Sequence, residues 1–173
     1  MIEVDEAVRY PIGLFTYDPE SNDARRRSWI DALRRLPSEL EEAVDGISDD
    51  ALERSYREGG WTARQLVHHI ADGHMNIYIR FKLAMTEDVP EIKPFDENTW
   101  VNTPEMNGPI EESLDIIRGV HARWVRLLDA LSPGDFERAV MHPISGLVTL
   151  DRMLQYFAWH GMHHVAHIRA IRK

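Results

Sequence analysis

Four long stretches of this chain carry apolar residues at the three- and four-residue spacing of an amphipathic helix, and the segments between them are rich in proline, glycine and polar residues. The first stretch runs from about Asn22 to Val44, capped by Ser21 or Asn22. A kink is expected at Pro37, whose ring removes a donor and crowds the preceding turn. The second begins at Thr62 or Ala63, where Thr62-Ala63-Arg64-Gln65 has the form of a capping box, and reaches about Thr86. Pro109 with Glu111 and Glu112 opens the third, which carries Leu114, Ile117, Val120, Trp124, Leu127 and Leu131 at helical spacing. The fourth spans about Leu150 to Arg172.

Between the long stretches, Asp49 to Ser55 reads as a short acidic helical turn, and Ser132-Pro133-Gly134-Asp135 caps another. Pro90, Pro94, Pro104 and Pro109 mark a long crossing loop between the second and third helices. Ala139 to Thr149, with Pro143 and Ser145-Gly146 flanked by Val and Leu, reads as a small hairpin or irregular lid. The opening through Ser21 reads as irregular. The fold expected is all-α, a four-helix bundle in one domain over residues 1–173.

A chain of 173 residues with 43% hydrophobic content suffices for one core. A net charge of −9 offers no basic stripe for phosphates, so nucleic acid and anionic membrane surfaces are poor partners. The N-terminus has no leader pattern and no apolar run reaches spanning length, so a cytoplasmic protein is expected. Cysteine is absent, which removes disulfides, thiolate metal ligands and a cysteine nucleophile; any thiol in the chemistry comes from outside the chain.

All the histidines except His121 and His142 fall in two motifs, VHHIADGH (His68, His69, His74) and WHGMHHVAH (His160, His163, His164, His167). On a wheel of about 100° per residue, His69 lies roughly 70° from the apolar stripe of its helix and His68 roughly 170°. His69 borders the core and His68 faces solvent. Asn76 and Arg80 fall on the same border as His69, forming a polar column suited to a cavity wall. In the last helix His164 lies roughly 30° from the stripe and His160 roughly 70°, against about 90° for His167 and 130° for His163. Of the two i,i+4 pairs, His160/His164 looks into the bundle, and residues four apart can share one ion. A lone histidine beside a core is more often a hydrogen-bonded structural residue, but three facing one interior favour metal binding by His69, His160 and His164. His68, His74 and His163 are expected on the surface or in contacts that hold a ligand. His121 has no assigned role, and His142, in the loop before the last helix, is a candidate to line the site.

GGWTARQLVHHIADGHMNIYIRFKLAMTE, the early YPIG, HARWVRLL and WHGMHHVAH together resemble the YfiT branch of the DinB-like four-helix-bundle superfamily, over nearly the whole chain. The resemblance implies a divalent metal, zinc or nickel, held at the positions of His69, His160 and His164. It implies a cytoplasmic homodimer and an activity of metal-dependent hydrolase or of low-molecular-weight thiol S-transferase using bacillithiol or a similar thiol. Phe95 and Trp100 add loop apolar surface suited to association.

Three neutral histidines with an open fourth position describe a catalytic rather than a structural zinc site. In a hydrolase, the ion activates water toward a small amide or ester. The glutamate of an H-E-x-x-H motif is replaced by Gly161, which weakens a peptidase reading. In a transferase, an external thiol takes the open position and attacks an electrophilic small-molecule substrate, with no protein carboxylate required. Asn76, Arg80 and Arg64 are candidates to bind that thiol, and Asp72 to accept from an imidazole. A third reading is a non-catalytic metal-binding structural or stress protein, in which a fourth protein ligand closes the site.

Overall fold

A computed structural model describes residues 6–172; residues 1–5 of the irregular opening, and residue 173, lie outside the described part. A short helix α1 (Glu6–Arg9) precedes α2 (Asp23–Val44), α3 (Asp49–Leu52), α4 (Ala63–Thr86), α5 (Glu97–Trp100), α6 (Ile110–Asp129), the hairpin β1 (Ala139–His142) and β2 (Gly146–Thr149), and α7 (Leu150–Arg172). Single turns of 3₁₀-helix at Pro104–Asn107 and Pro133–Glu137 lead into α6 and β1. No helix among the described residues is long and apolar enough to cross a membrane.

The helix ends follow local chemistry. The Asn22 side chain accepts from the Arg25 amide, and Thr62 with Gln65 forms the reciprocal capping box, with both contacts at 3.0–3.2 Å. In the hairpin, Ala139 pairs with Thr149 and His142 with Gly146, whose φ of 70° suits glycine in the turn.

The four long helices form a ring in which α2 packs on α6 and α7, and α4 packs on the same two. Helices adjacent in sequence, α2 with α4 and α6 with α7, therefore sit diagonally. The long crossover between α4 and α6 joins ring neighbours. Because α4 has two packed faces, its buried residues spread far around the wheel, from Leu66 and Ile70 to Val67 and His68.

The interior divides into two apolar clusters stacked along the bundle. One holds Ile30, Leu33, Ile77, Phe81, Trp124 and Leu154; the other holds Leu36, Leu40, Ile70, Ile117, Val165 and Ile168. Between Ile70 and Ile77 on α4 lies His74; between Ile117 and Trp124 on α6 lies His121; between Ala158 and Val165 on α7 lie His160 and Gly161. A layer of imidazoles thus crosses an otherwise apolar core.

Helix α2 runs unbroken through Pro37. Proline has no N–H, so the carbonyl one turn back, that of Leu33, loses its usual helical donor. His121 Nδ1 lies 2.7 Å from that oxygen and supplies the missing hydrogen bond. Pro37 thus frees an acceptor for the histidine layer.

At Gly161, α7 lies close against Leu36 of α2 and His74 of α4. A Cβ there would lie 2.4 Å from Leu36 Cδ2 and 3.2 Å from His74 Cε1. Gly161→Ala is expected to lower stability by ~1–3 kcal/mol, overpacking outweighing the gain of about 1 kcal/mol in helix propensity. Urea unfolding of Gly161→Ala, Leu36→Ala and the double variant checks this, with strongly sub-additive losses expected because both changes act on one contact.

Candidate metal centre

His69 is placed on α4 by the register that Thr62 and Gln65 fix, and His160 and His164 occupy successive turns of α7. All three are buried, and one nitrogen from each lies within 4.8 Å of the others. His69 Nε2 and His160 Nε2 are 3.1 Å apart. Ligand nitrogens around a tetrahedral ion with bonds of 2.0–2.1 Å sit about 3.3 Å apart, so the pair is close to the spacing such an ion needs.

Proton positions in the histidine layer follow from its end. A carbonyl only accepts, so His121 donates Nδ1–H to Leu33, leaving Nε2 of the neutral ring as an acceptor. His74 donates Nδ1–H to it at 2.9 Å, and His74 Nε2 in turn accepts from His160 Nδ1–H at 3.3 Å. His160 is left with its lone pair on Nε2, facing His69. A second, shorter chain does the same for His164. His167 donates Nε2–H to the Arg9 carbonyl at 3.2 Å and accepts on Nδ1 from His164 Nδ1–H at 3.5 Å, so the His164 lone pair is on Nε2.

These rings are held neutral. Burial pushes the imidazolium forms of His69 and His121 down to about 4, and takes His74, His160 and His164 well below the ordinary histidine value. Neighbouring imidazoles add to the effect at His74, His160 and His164. At 3.1 Å the His160 lone pair on Nε2 either accepts from His69 Nε2–H or, with His69 as its other tautomer, shares a cation with the His69 lone pair, so the neutral donor set fits a cation.

The trio forms part of the wall of a cavity of about 450 Å³. Around its wall stand Arg9, Tyr56, Arg57, Trp61, Tyr156 and Trp159. Trp61 lies against His69, ring centres 4.5 Å apart, and Phe95 from the crossing loop also lines the space. A second trio, His163, His164 and His167, also has ligand atoms within 4.8 Å of one another and shares His164 with the first. His163 stacks on Trp159 and its buried Nδ1 has no hydrogen-bond partner among the described residues. Among the described residues no carboxylate joins either trio.

Several expectations are corrected. His68 does not face solvent: it is buried, accepting from Ser113 on Nδ1 at 2.7 Å and donating from Nε2 to the Gly108 carbonyl at 3.3 Å, which pins the crossing loop and α6 to α4. His163 is likewise buried, because the segment around Tyr10 covers that side of α7. His74 does hold a ligand candidate, and His121, which had no assigned role, anchors it. The polar column disperses: Asn76 donates to the Asp72 carbonyl, and Arg80 reaches the Lys93 carbonyl. Arg80 and His142 line an adjoining cavity instead of this one. Arg64 is taken up by Glu53 and the Gly108 carbonyl. Asp72, raised to about 6 mainly by burial, has no side-chain hydrogen bond to an imidazole. The cavity arginines Arg9 and Arg57 were not singled out, since neither shares a helix face with a histidine motif.

The profile of the DinB superfamily matches residues 32–168. The chain belongs to the DinB superfamily. It is 47% identical over 165 residues to a protein of Oceanobacillus iheyensis named "Putative metal-dependent hydrolase", covering 95% of this chain and 96% of that one. A protein of the same name from Bacillus mycoides is 46% identical over 166 residues, covering 96% of each chain. Among solved structures it is similar to YfiT from Bacillus subtilis, "a probable metal-dependent hydrolase with an unusual four-helix bundle topology", with a TM-score of 0.92, 39% identity and 95% of each chain covered. The diagonal placement of consecutive helices described above is present in a chain with that likeness.

Buried neutral histidines make stability depend on pH. His121 titrates near 6.5 when unfolded and near 4 when folded, so between those values the unfolded chain binds more protons. Stability is complete above about pH 6.5 and falls as the pH drops toward 4, by ~3 kcal/mol from His121 alone. Denaturant midpoints between pH 4 and 7.5 check this, and His121→Asn is expected to flatten the slope.

Proposed function

We propose that His69, His160 and His164 hold one divalent cation, Zn²⁺ first and Ni²⁺ second, and that the chain is a metal-dependent enzyme transferring a low-molecular-weight thiol such as bacillithiol to an electrophilic small molecule. The observation that carries this reading is a trio of neutral imidazoles, two with proton positions fixed by hydrogen bonding, beside an open cavity and with no carboxylate joined to it. When bound, the ion supplies positive charge that stabilises the deprotonated form of a thiol or of water.

The chain's own residues do the rest. His74 and His121 keep His160 presenting Nε2, and His167 does so for His164. Arg9 and Arg57 on the cavity wall suit the carboxylates of an anionic thiol, and the rings of Tyr56, Trp61 and Trp159 exclude water around it. With a cation held there, a small-molecule thiol would be deprotonated to solvent without a protein general base. The second reading, hydrolysis of a small amide or ester, is favoured by the relatives' names and by Glu97, a carboxylate on the cavity wall available as a base. We also propose a homodimer, for which the exposed Ile144 and Leu147 of the hairpin supply apolar surface. A monomer in sedimentation of both apo and metal-loaded protein overturns it.

Elemental analysis of purified variants separates the two trios. His69→Ala, His160→Ala and His164→Ala are each expected to lose tight metal binding, while His163→Ala keeps about one ion per chain. Loss in His163→Ala with retention in His69→Ala would transfer the assignment to the second trio. His121→Asn, which removes no ligand, is expected to weaken metal affinity by about 10–100-fold. For the reaction, conjugation of a small thiol to a haloalkyl fluorophore should be lost on chelation and restored by zinc. Chelator-sensitive ester or amide cleavage without conjugation replaces transfer with hydrolysis.

A further inference from the structure

A second cavity, of about 400 Å³, adjoins the histidine cavity and shares Phe95, Glu97, Tyr156 and Phe157 with it. Ile77, Ile92, Val140, Val148 and Met153 give it an apolar lining, and Arg80, His142 and Arg152 add three basic side chains.

Arg80 lines this cavity partly buried and without a carboxylate partner among the described residues. Arg25, Arg26, Arg34, Arg64, Arg118 and Arg169 each have a carboxylate within ion-pair distance. Arg80 has none among the described residues, although it is partly buried, and its hydrogen bond to the Lys93 carbonyl is long at 3.4 Å. Glu97, the carboxylate on the shared wall, pairs with neither Arg80 nor Arg152. A partly buried guanidinium on the wall of this cavity therefore has donors to spare for a ligand. His142 contributes in a defined way. Its Nδ1 accepts from the amides of Ile144 and Ser145, both at 3.2 Å, so the neutral ring carries its proton on Nε2, which has no partner among the described residues. Arg80 and His142 both line this cavity, and burial first, then the Arg80 cation, holds the His142 imidazole below its ordinary value.

We propose that this second cavity binds a small apolar carboxylic acid, its carboxylate taken by Arg80 and the Nε2–H of His142 and its body resting on Ile77, Ile92, Val140 and Phe157. The planar fork of arginine matches a carboxylate, and an apolar lining with donors at one place favours a molecule with one polar end. The site stands whether or not the three histidines hold an ion, and it is measured on chelator-treated protein.

The probe is 4-phenylbutyrate, compared with its neutral amide and with inorganic phosphate, by calorimetry and by backbone NMR on the full chain. The acid is expected to bind at least about tenfold tighter than the amide, with phosphate weaker than both, and to shift resonances of Ile77, Val140 and His142. Arg80→Gln should remove the preference for the acid while leaving amide affinity within about twofold, and Arg80→Lys should restore part of it. His142→Phe, on a surface hairpin, should reduce the preference independently of any effect of Arg80 on folding. Equal binding of acid and amide, no binding of either up to about 10 mM, an intact preference in both Arg80→Gln and His142→Phe, or shifts confined to the His69, His160 and His164 region would each overturn the proposal.

Discussion

The hydrogen bond from His121 to the Leu33 carbonyl is the contact on which the rest of the centre depends. It exists because Pro37 cannot donate to that carbonyl, and it fixes in turn the proton positions of His121, His74 and His160. Leu33 is on α2, His121 on α6, His74 on α4 and His160 on α7, so one chain of hydrogen bonds engages all four long helices. Each buried imidazole has two nitrogens to satisfy, and the chain satisfies them in one direction only. Reversing any ring would put donor against donor or aim a lone pair at a carbonyl.

That polar layer would weaken a core that had to pack continuously. Here the apolar residues form a cluster on either side of it, each filled by large side chains such as Phe81 and Trp124 on one side and Leu40 and Ile70 on the other. Gly161 lets α7 approach where the layer is, and this closeness brings His160 within reach of both His74 and His69. The cavity then opens on the side of the layer away from Leu33, under Trp61 and the segment that carries Arg9.

Much of this was legible in the residues themselves. Capping signals at Asn22 and Thr62, prolines at loop boundaries and the apolar period place the long helices to within a residue or two, and the wheel picks out His69, His160 and His164. It fails for His68 and His163 because it assumes one buried face per helix, whereas α4 packs on both α6 and α7 and α7 is further covered by the N-terminal segment. Asn76 and Arg80 follow His69 along α4, but a helical column about three turns long leaves one cavity and enters the next. Arg9 and Arg57 lie in segments without periodicity, so only the closed fold reveals them. The role of Pro37 depends on a partner 84 positions away and has no local signature.

His69 and His160 are 91 residues apart, whereas His160 and His164 lie on adjacent turns of one helix. During folding the α7 pair is therefore assembled by local helix formation, while the third imidazole arrives only when the long loop between the halves has closed and its entropy has been lost. Until then α7 offers a two-nitrogen chelate, with His163 and His167 on the same helix to compete for any ion captured early. The docking of α4, and with it the seating of His74 against His160, is thus the event that separates the two trios: α7 alone carries His163, His164 and His167, whereas the proposed centre at His69, His160 and His164 is complete only afterwards.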